Sequence, residues 1–128
     1  MSYSYQNGSL SCDGVGLDEI ANEIGTPCYI YSACGIIARY RDYDRAFGSL
    51  PHQICYAVKA NSNLSVLTLL AKEGAGFDIV SGGELYRVLQ AGGDPAKTVF
   101  SGVGKTREEI DYALSRNIHT FNCESEGE

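Results

Sequence analysis

No run of apolar residues in the sequence is long enough to cross a membrane. Met1 to Asn7 have neither the basic nor the apolar stretch of a signal peptide, so none is expected. Positive charge is also scarce: 10 Lys and Arg face 16 Asp and Glu, a net charge of −6. That balance argues against a nucleic-acid or anionic-membrane partner. Metal-type cysteine pairs are missing too. Cys12, Cys28, Cys34, Cys55 and Cys123 are odd in number, and no pair has the two-residue gap of a zinc or redox motif. Reduced thiols in a cytoplasmic protein are the simplest account. The only histidines, His52 and His119, are far apart, so no metal site is expected. At 128 residues the chain can form one modest domain.

What is present is a change of pattern near residue 53. Before it, residues 1–52 read as a segment of short strands and two helices. Ser9–Cys12 suits a short strand ended by Asp13-Gly14. Leu17, Ile20, Ala21 and Ile24 recur at helical spacing, and Gly25-Thr26-Pro27 stops that helix. Cys28 to Tyr31 reads as a strand. Ser32 then caps a helix to about Phe47, with Ile36, Ile37, Tyr40, Tyr43 and Phe47 as its apolar stripe.

From Gln53 onward the chain alternates. Strands are expected at Gln53–Val58, Phe77–Val80, Thr98–Ser101 and His119–Cys123. Helices are expected at Leu64–Glu73, Gly83–Ala91 and Arg107–Arg116. Gly74 closes the first helix and Gly92-Gly93 the second. Such alternation implies βαβ units, right-handed crossovers and a parallel sheet. Periodicity alone leaves an open doubly wound sheet and part of a closed barrel both possible.

Lys59 ends the first of these strands. Strand alternation puts Cys55, Ala57 and Lys59 on one face, so the lysine follows two small side chains. A partly desolvated lysine in that position is a usable amine for a Schiff base with an aldehyde. Spacing alone favours the plainer reading, a lysine that snorkels to water from the end of a buried strand. Ser81 and Glu84, like Thr106 and Glu109, have the spacing of a helix capping box. Gly102-Val103-Gly104-Lys105-Thr106 lacks the earlier glycine of a nucleotide-binding loop, because position 99 is Val99.

Five stretches carry a resemblance. Tyr56-Ala57-Val58-Lys59-Ala60-Asn61 resembles the lysine motif of the pyridoxal-phosphate enzymes with an alanine-racemase-like barrel. Gly76-Phe77-Asp78-Ile79-Val80-Ser81-Gly82-Gly83-Glu84-Leu85 and Val99-Phe100-Ser101-Gly102-Val103-Gly104-Lys105-Thr106 resemble the diaminopimelate decarboxylase branch of that family. Gly25-Thr26-Pro27 with Tyr29-Ile30-Tyr31-Ser32, and Phe121 to Glu128, fit it in order. The ordered set is specific where no single motif is.

The resemblance implies an α/β fold, the parallel (β/α)8 barrel of the alanine-racemase type. About its first half, four strands in residues 53–128, is expected here, with the C-terminal β-domain absent. A complete barrel takes eight strands and roughly 250 residues, so the chain reads as the N-terminal portion of a longer enzyme. It implies pyridoxal 5'-phosphate as cofactor, carried by Lys59, with Asp78 on the next strand beside it. Glu84 has a family counterpart near the cofactor, so capping and site lining both stand for it.

The implied activity is decarboxylation of meso-2,6-diaminopimelate to L-lysine, the final step of lysine biosynthesis, by a full-length homodimer. The chain alone is expected to be inactive. The family's phosphate-binding loop, the acidic partner of the pyridine nitrogen and the substrate-reading arginines match no residues here. Decarboxylation of ornithine, arginine or a carboxylated polyamine, or a fragment without catalysis, are the alternatives.

Overall fold

The N-terminal residues use two tight turns that the sequence announces. The computed structural model describes residues 2–128. Strands β1 (Tyr3–Gln6), β2 (Ser9–Cys12) and β3 (Val15–Gly16) form an antiparallel sheet in chain order. Asn7 and Gly8 join the first pair with φ of 52° and 85°, and Asp13 and Gly14 join the second with φ of 50° and 88°. Positive φ at both central residues is what a two-residue hairpin needs to match strand twist. The sequence reading found only β2. Asn7-Gly8 is the sequence signal that marks the end of β1.

Helix α1 (Leu17–Ile24) lies where expected. Cys28–Tyr31 corrects the reading: it forms no strand, and Tyr29 is 91% exposed. Among the described residues no strand pairs with it, and β-propensity without a partner does not make a strand. Helix α2 (Ala33–Phe47) starts at Ser32, whose Oγ accepts from Gly35 N at 2.8 Å. The Asp13 carboxylate reinforces that end, accepting from Ser32 Oγ at 2.7 Å and Cys34 N at 3.1 Å. These bonds, Ser32 first, hold Asp13 below the usual carboxylate range. The hairpin is thereby tied to α2.

The second unit is a four-stranded parallel sheet in chain order: β4 (Cys55–Ala57), β5 (Gly76–Ile79), β6 (Thr98–Phe100) and β7 (Thr120–Phe121). Helices α3 (Leu64–Lys72), α4 (Gly82–Gln90) and α5 (Arg107–Ser115) are its crossovers. β4, β6 and β7 are shorter than expected, while β5 keeps four residues and starts one residue earlier. The chain does not pair at Gln53, and the first strand stops at Ala57.

Register decides between the two architectures left open by the sequence. Tyr56 pairs with Phe77 and Phe77 with Thr98, while Ile79 pairs with Phe100 and Phe100 with Phe121. This face is covered. Phe77, Ile79, Thr98 and Phe100 are fully buried, together with Leu67, Leu85, Val88 and Ala113 of the helices. The opposite face carries Ala57, Asp78, Val99 and Thr120 in one row, and no described helix covers it. Helix α4 packs between α3 and α5, and α3 against α2. A doubly wound sheet would have helices on both faces. Helices on one face only make this the wall of a (β/α) barrel.

The lower end of the open face is closed by close packing. Gln53 Nε2 donates to Lys97 O at 2.9 Å and to Cys55 Sγ at 3.2 Å. A Cβ at Gly76 would collide with the Lys97 backbone carbonyl oxygen and fall 2.8 Å from Cys55 Sγ, so only glycine fits there.

Candidate active site

Polar side chains gather at the upper, C-terminal ends of the strands on the uncovered face. Asp78 is half-buried on β5, beside Ala57 of β4 and Val99 of β6. Ser101 follows β6 and keeps its register, its N–H donating to Ile79 O at 2.8 Å. Asn122 follows β7 in the same way, donating to Phe100 O at 2.9 Å. Each stands two residues beyond the Val99 and Thr120 of the open-face row, so both side chains share the face of Asp78. Ser101 Oγ donates to Asp78 Oδ1 at 2.5 Å, and Asn122 Nδ2 donates to Ser101 Oγ at 3.0 Å. The sequence reading placed Ser101 and Asn122 at strand ends but gave them no role. Their shared parity with Asp78 was the signal.

Lys59 does not continue the strand. Val58–Ala60 form a 3-10 turn, anchored by the fully buried Val58 and closed by Tyr56 OH donating to Asn61 O at 3.2 Å. Asn61 Oδ1 accepts from Asn63 N at 3.0 Å, and Asn63 Oδ1 caps α3 through Ser65 N at 2.8 Å. The turn leaves Lys59 exposed rather than desolvated. This corrects the expectation of a desolvated amine, and the cause is the early end of β4. Among the described residues no ion pair joins Lys59 to Asp78, whose recorded partner is Ser101.

The flanking motifs resolve as backbone supports. Glu84 Oε2 accepts from Val80 N at 2.8 Å, and Ser81 Oγ accepts from Glu84 N at 3.2 Å. Glu84 is therefore turned onto the β5–α4 backbone. The Thr106–Glu109 box forms in both directions. Lys105 does not reach for a ligand. Its side chain is 2% exposed, and Nζ donates to Gly102 O at 2.5 Å, Asn122 O at 2.8 Å and Glu128 Oε1 at 3.2 Å. It ties the loop after β6 to the end of β7.

An apolar groove of about 780 Å³ runs along the free edge of β4, lined by Ile36, Tyr40, Ile54, Tyr56 and Leu70 among others. Neither Lys59 nor Asp78 lines it, and we do not assign it to the chemistry. No group of His, Cys, Asp and Glu among the described residues could hold a metal ion. No described helix is long and apolar enough to cross a membrane.

The chemistry of the donor set suits a cofactor bound through an aldehyde. It offers a lysine amine, a carboxylate with one oxygen open to solvent, and the small Ala57 in register with that carboxylate. Comparison with known proteins agrees. The chain is 58% identical over 124 residues to a diaminopimelate decarboxylase of Pseudomonas aeruginosa, covering 97% of this chain and 30% of the relative. It is 55% identical to that of Vibrio cholerae, over 98% of this chain and 30% of the relative. The crystal structure of M. jannaschii diaminopimelate decarboxylase in complex with L-lysine superposes with a TM-score of 0.89 at 38% identity, over 97% of this chain and 30% of that one. The chain thus spans about 30% of the length of the curated relatives it matches. Residues 34–128 match the family described as pyridoxal-dependent decarboxylase, pyridoxal binding domain, and the chain belongs to that family.

Proposed function

We propose that the chain forms the first half of the cofactor barrel of an enzyme that decarboxylates meso-2,6-diaminopimelate to L-lysine. Residues 53–128 are the barrel portion in this reading, and residues 1–52 are the segment that leads into it. The carrying observation is the Ser101-bound carboxylate of Asp78, in register with Ala57 just ahead of the turn that holds the exposed Lys59, in a chain this similar to diaminopimelate decarboxylases.

Lys59 is the residue to hold pyridoxal 5'-phosphate, through Nζ and the aldehyde carbon. The bound cofactor supplies an electron sink for the bonding pair released when carbon dioxide leaves the substrate. Asp78 supplies a fixed negative charge near Nζ. It favours the ammonium form of Lys59 when the amine is free, and it orients the amine for exchange. Ala57, with only a methyl group in the row, leaves space above the sheet for a planar ring. The exposure of Lys59 suits an amine that must be reached by cofactor and substrate.

The same reading carries a small amino acid as substrate, a homodimeric assembly of the full-length enzyme and a cytoplasmic location. The five free thiols suit a reducing compartment. The test is direct. The full-length protein, loaded with pyridoxal phosphate, should release carbon dioxide from meso-diaminopimelate and form L-lysine. Inertness toward that substrate with turnover of ornithine or arginine would overturn the assignment.

A further inference from the structure

Ser101 stands in the middle of a directional chain of hydrogen bonds. Asn122 Nδ2 carries only donor hydrogens, so its 3.0 Å contact must use a lone pair of Ser101 Oγ. That leaves the serine proton for its 2.5 Å contact with Asp78 Oδ1. The serine hydroxyl is therefore not free to rotate or to greet a ligand. The amide at one end fixes its rotor, and the carboxylate at the other receives its proton.

The far end is anchored as well. Asn122 is held by its own backbone, through Phe100 O at 2.9 Å and Lys105 Nζ at 2.8 Å. Lys105 is itself buried and also grips Gly102 O, the carbonyl next to Ser101. The order Lys105, Asn122, Ser101, Asp78 crosses β7, β6 and β5 on the face that carries the site. At Asp78 the chain stops. Oδ1 is taken, and Oδ2 has no partner among the described residues and is open to solvent.

We propose that Ser101, its rotor set by Asn122, is a positioning residue that holds the Asp78 carboxylate in one orientation and keeps Oδ2 as the acceptor offered to Lys59 and its cofactor. The proposal deepens the pyridoxal-site reading above and rests on it. A simple strand-end contact would serve stability alone. An oriented carboxylate also sets how strongly a protonated nitrogen at Lys59 is held. Its loss should therefore appear in the cofactor's own spectrum.

The test uses the full-length holoenzyme with Ser101→Ala, Ser101→Thr and Asn122→Ala. The readouts are the pH dependence of the visible band of bound pyridoxal phosphate, and kcat and KM measured separately. In Ser101→Ala the visible band should be lost at a pH roughly one unit lower than in the unmodified enzyme. Its kcat should fall roughly ten- to a hundredfold, the loss expected for a hydrogen bond to a charged group, with little change in KM. Ser101→Thr keeps the hydroxyl and should restore both. Asn122→Ala should shift the band in the same direction by less. Wild-type pH dependence in both Ser101→Ala and Asn122→Ala would overturn the proposal. If Ser101→Ala fails to fold, wild-type behaviour of Asn122→Ala alone overturns it. Failure of borohydride to fix pyridoxal phosphate on Lys59 in the unmodified enzyme would instead overturn the site reading, and the proposal with it.

Discussion

The Glu109 carboxylate bridges two helix N-termini. Oε1 accepts from Gly82 N of α4 at 2.8 Å, while Oε2 accepts from Thr106 N ahead of α5 at 3.1 Å. Orphan N–H groups of two helices are satisfied by one side chain. The bridge fixes how neighbouring barrel helices sit above the sheet, and with them the loops that follow β5 and β6.

The bridge makes stability depend on acid. The Gly82 N–H first, then that of Thr106, holds Glu109 below its ordinary value of 4.5. A lowered carboxylate adds stability above its unfolded value, and that share is lost as pH falls through the folded one. Glu109→Ala should cost about 1–2 kcal/mol near neutral pH, the range for losing a cap. The gap between variant and unmodified enzyme should narrow as pH falls below 4.5 and close once it has passed the lowered folded value. Thermal melting of both proteins across pH checks this. A gap that stays constant into acid would show that the charge contributes nothing.

Lys59 should be the residue that takes the cofactor. Two of the three other lysines in the chain are committed elsewhere: Lys97 Nζ donates to Gly74 O at 3.1 Å, and Lys105 Nζ is buried among three acceptors, while Lys72 lies at the end of α3. Borohydride treatment of the full-length enzyme with pyridoxal phosphate should label the peptide containing Lys59. Lys59→Ala should abolish the label and the visible absorption. Label recovered on Lys72, Lys97 or Lys105 in the unmodified enzyme would exclude the assignment.

How much of this was legible follows from the range of each interaction. Helix ends depend on near neighbours, so Ser32, Gly74 and the Thr106–Glu109 box were readable from the chain. Strand ends depend on partners far away in sequence. Cys28–Tyr31 has strand composition but no neighbour to pair with, and Gln53 spends its side chain on Lys97 O. The Lys59 turn hinges on the burial of Val58 beneath the helices, which alternation alone does not encode. Asp78 was found as a strand residue near the lysine. Its actual partner, Ser101, is 23 positions away and emerges only once β5 and β6 are in register.

His52 offers a pH response away from the site. Nδ1 lies 2.7 Å from Leu50 O and Nε2 lies 3.0 Å from Asp44 Oδ1, and the ring stacks on Phe47. Both nitrogens face acceptors, so the doubly protonated ring satisfies both contacts and the neutral ring only one. The Leu50 carbonyl first, then Asp44, raises His52 above its ordinary 6.5. A raised histidine adds stability that is complete below its unfolded value and lost as pH rises through the folded one. The contact at the end of α2 should therefore tighten from alkaline to mildly acidic pH. An NMR titration of the ring should place His52 above 6.5, and Asp44→Asn should lower it only part of the way. A complete return to 6.5 in Asp44→Asn would show that Leu50 plays no part.

Expressed alone, residues 1–128 should not behave as an enzyme. In the four-stranded sheet β4 and β7 are the outer strands, and each leaves one edge unpaired. Free parallel edges template pairing with other chains. The β4 edge also borders the apolar groove of about 780 Å³, and Tyr31 and Tyr43 on its rim are more than half exposed. The open face adds Val80 and Val99, both only partly buried. Burying these surfaces favours association over a free monomer. Pyridoxal phosphate should bind weakly, because Lys59 and Asp78 offer contacts to its aldehyde end and Lys105, the nearest motif lysine, is spent on carbonyls. Size-exclusion with light scattering should show oligomers or aggregate, and meso-diaminopimelate should not be consumed. A monodisperse monomer that melted cooperatively and turned over substrate would show that half a barrel wall is a complete enzyme.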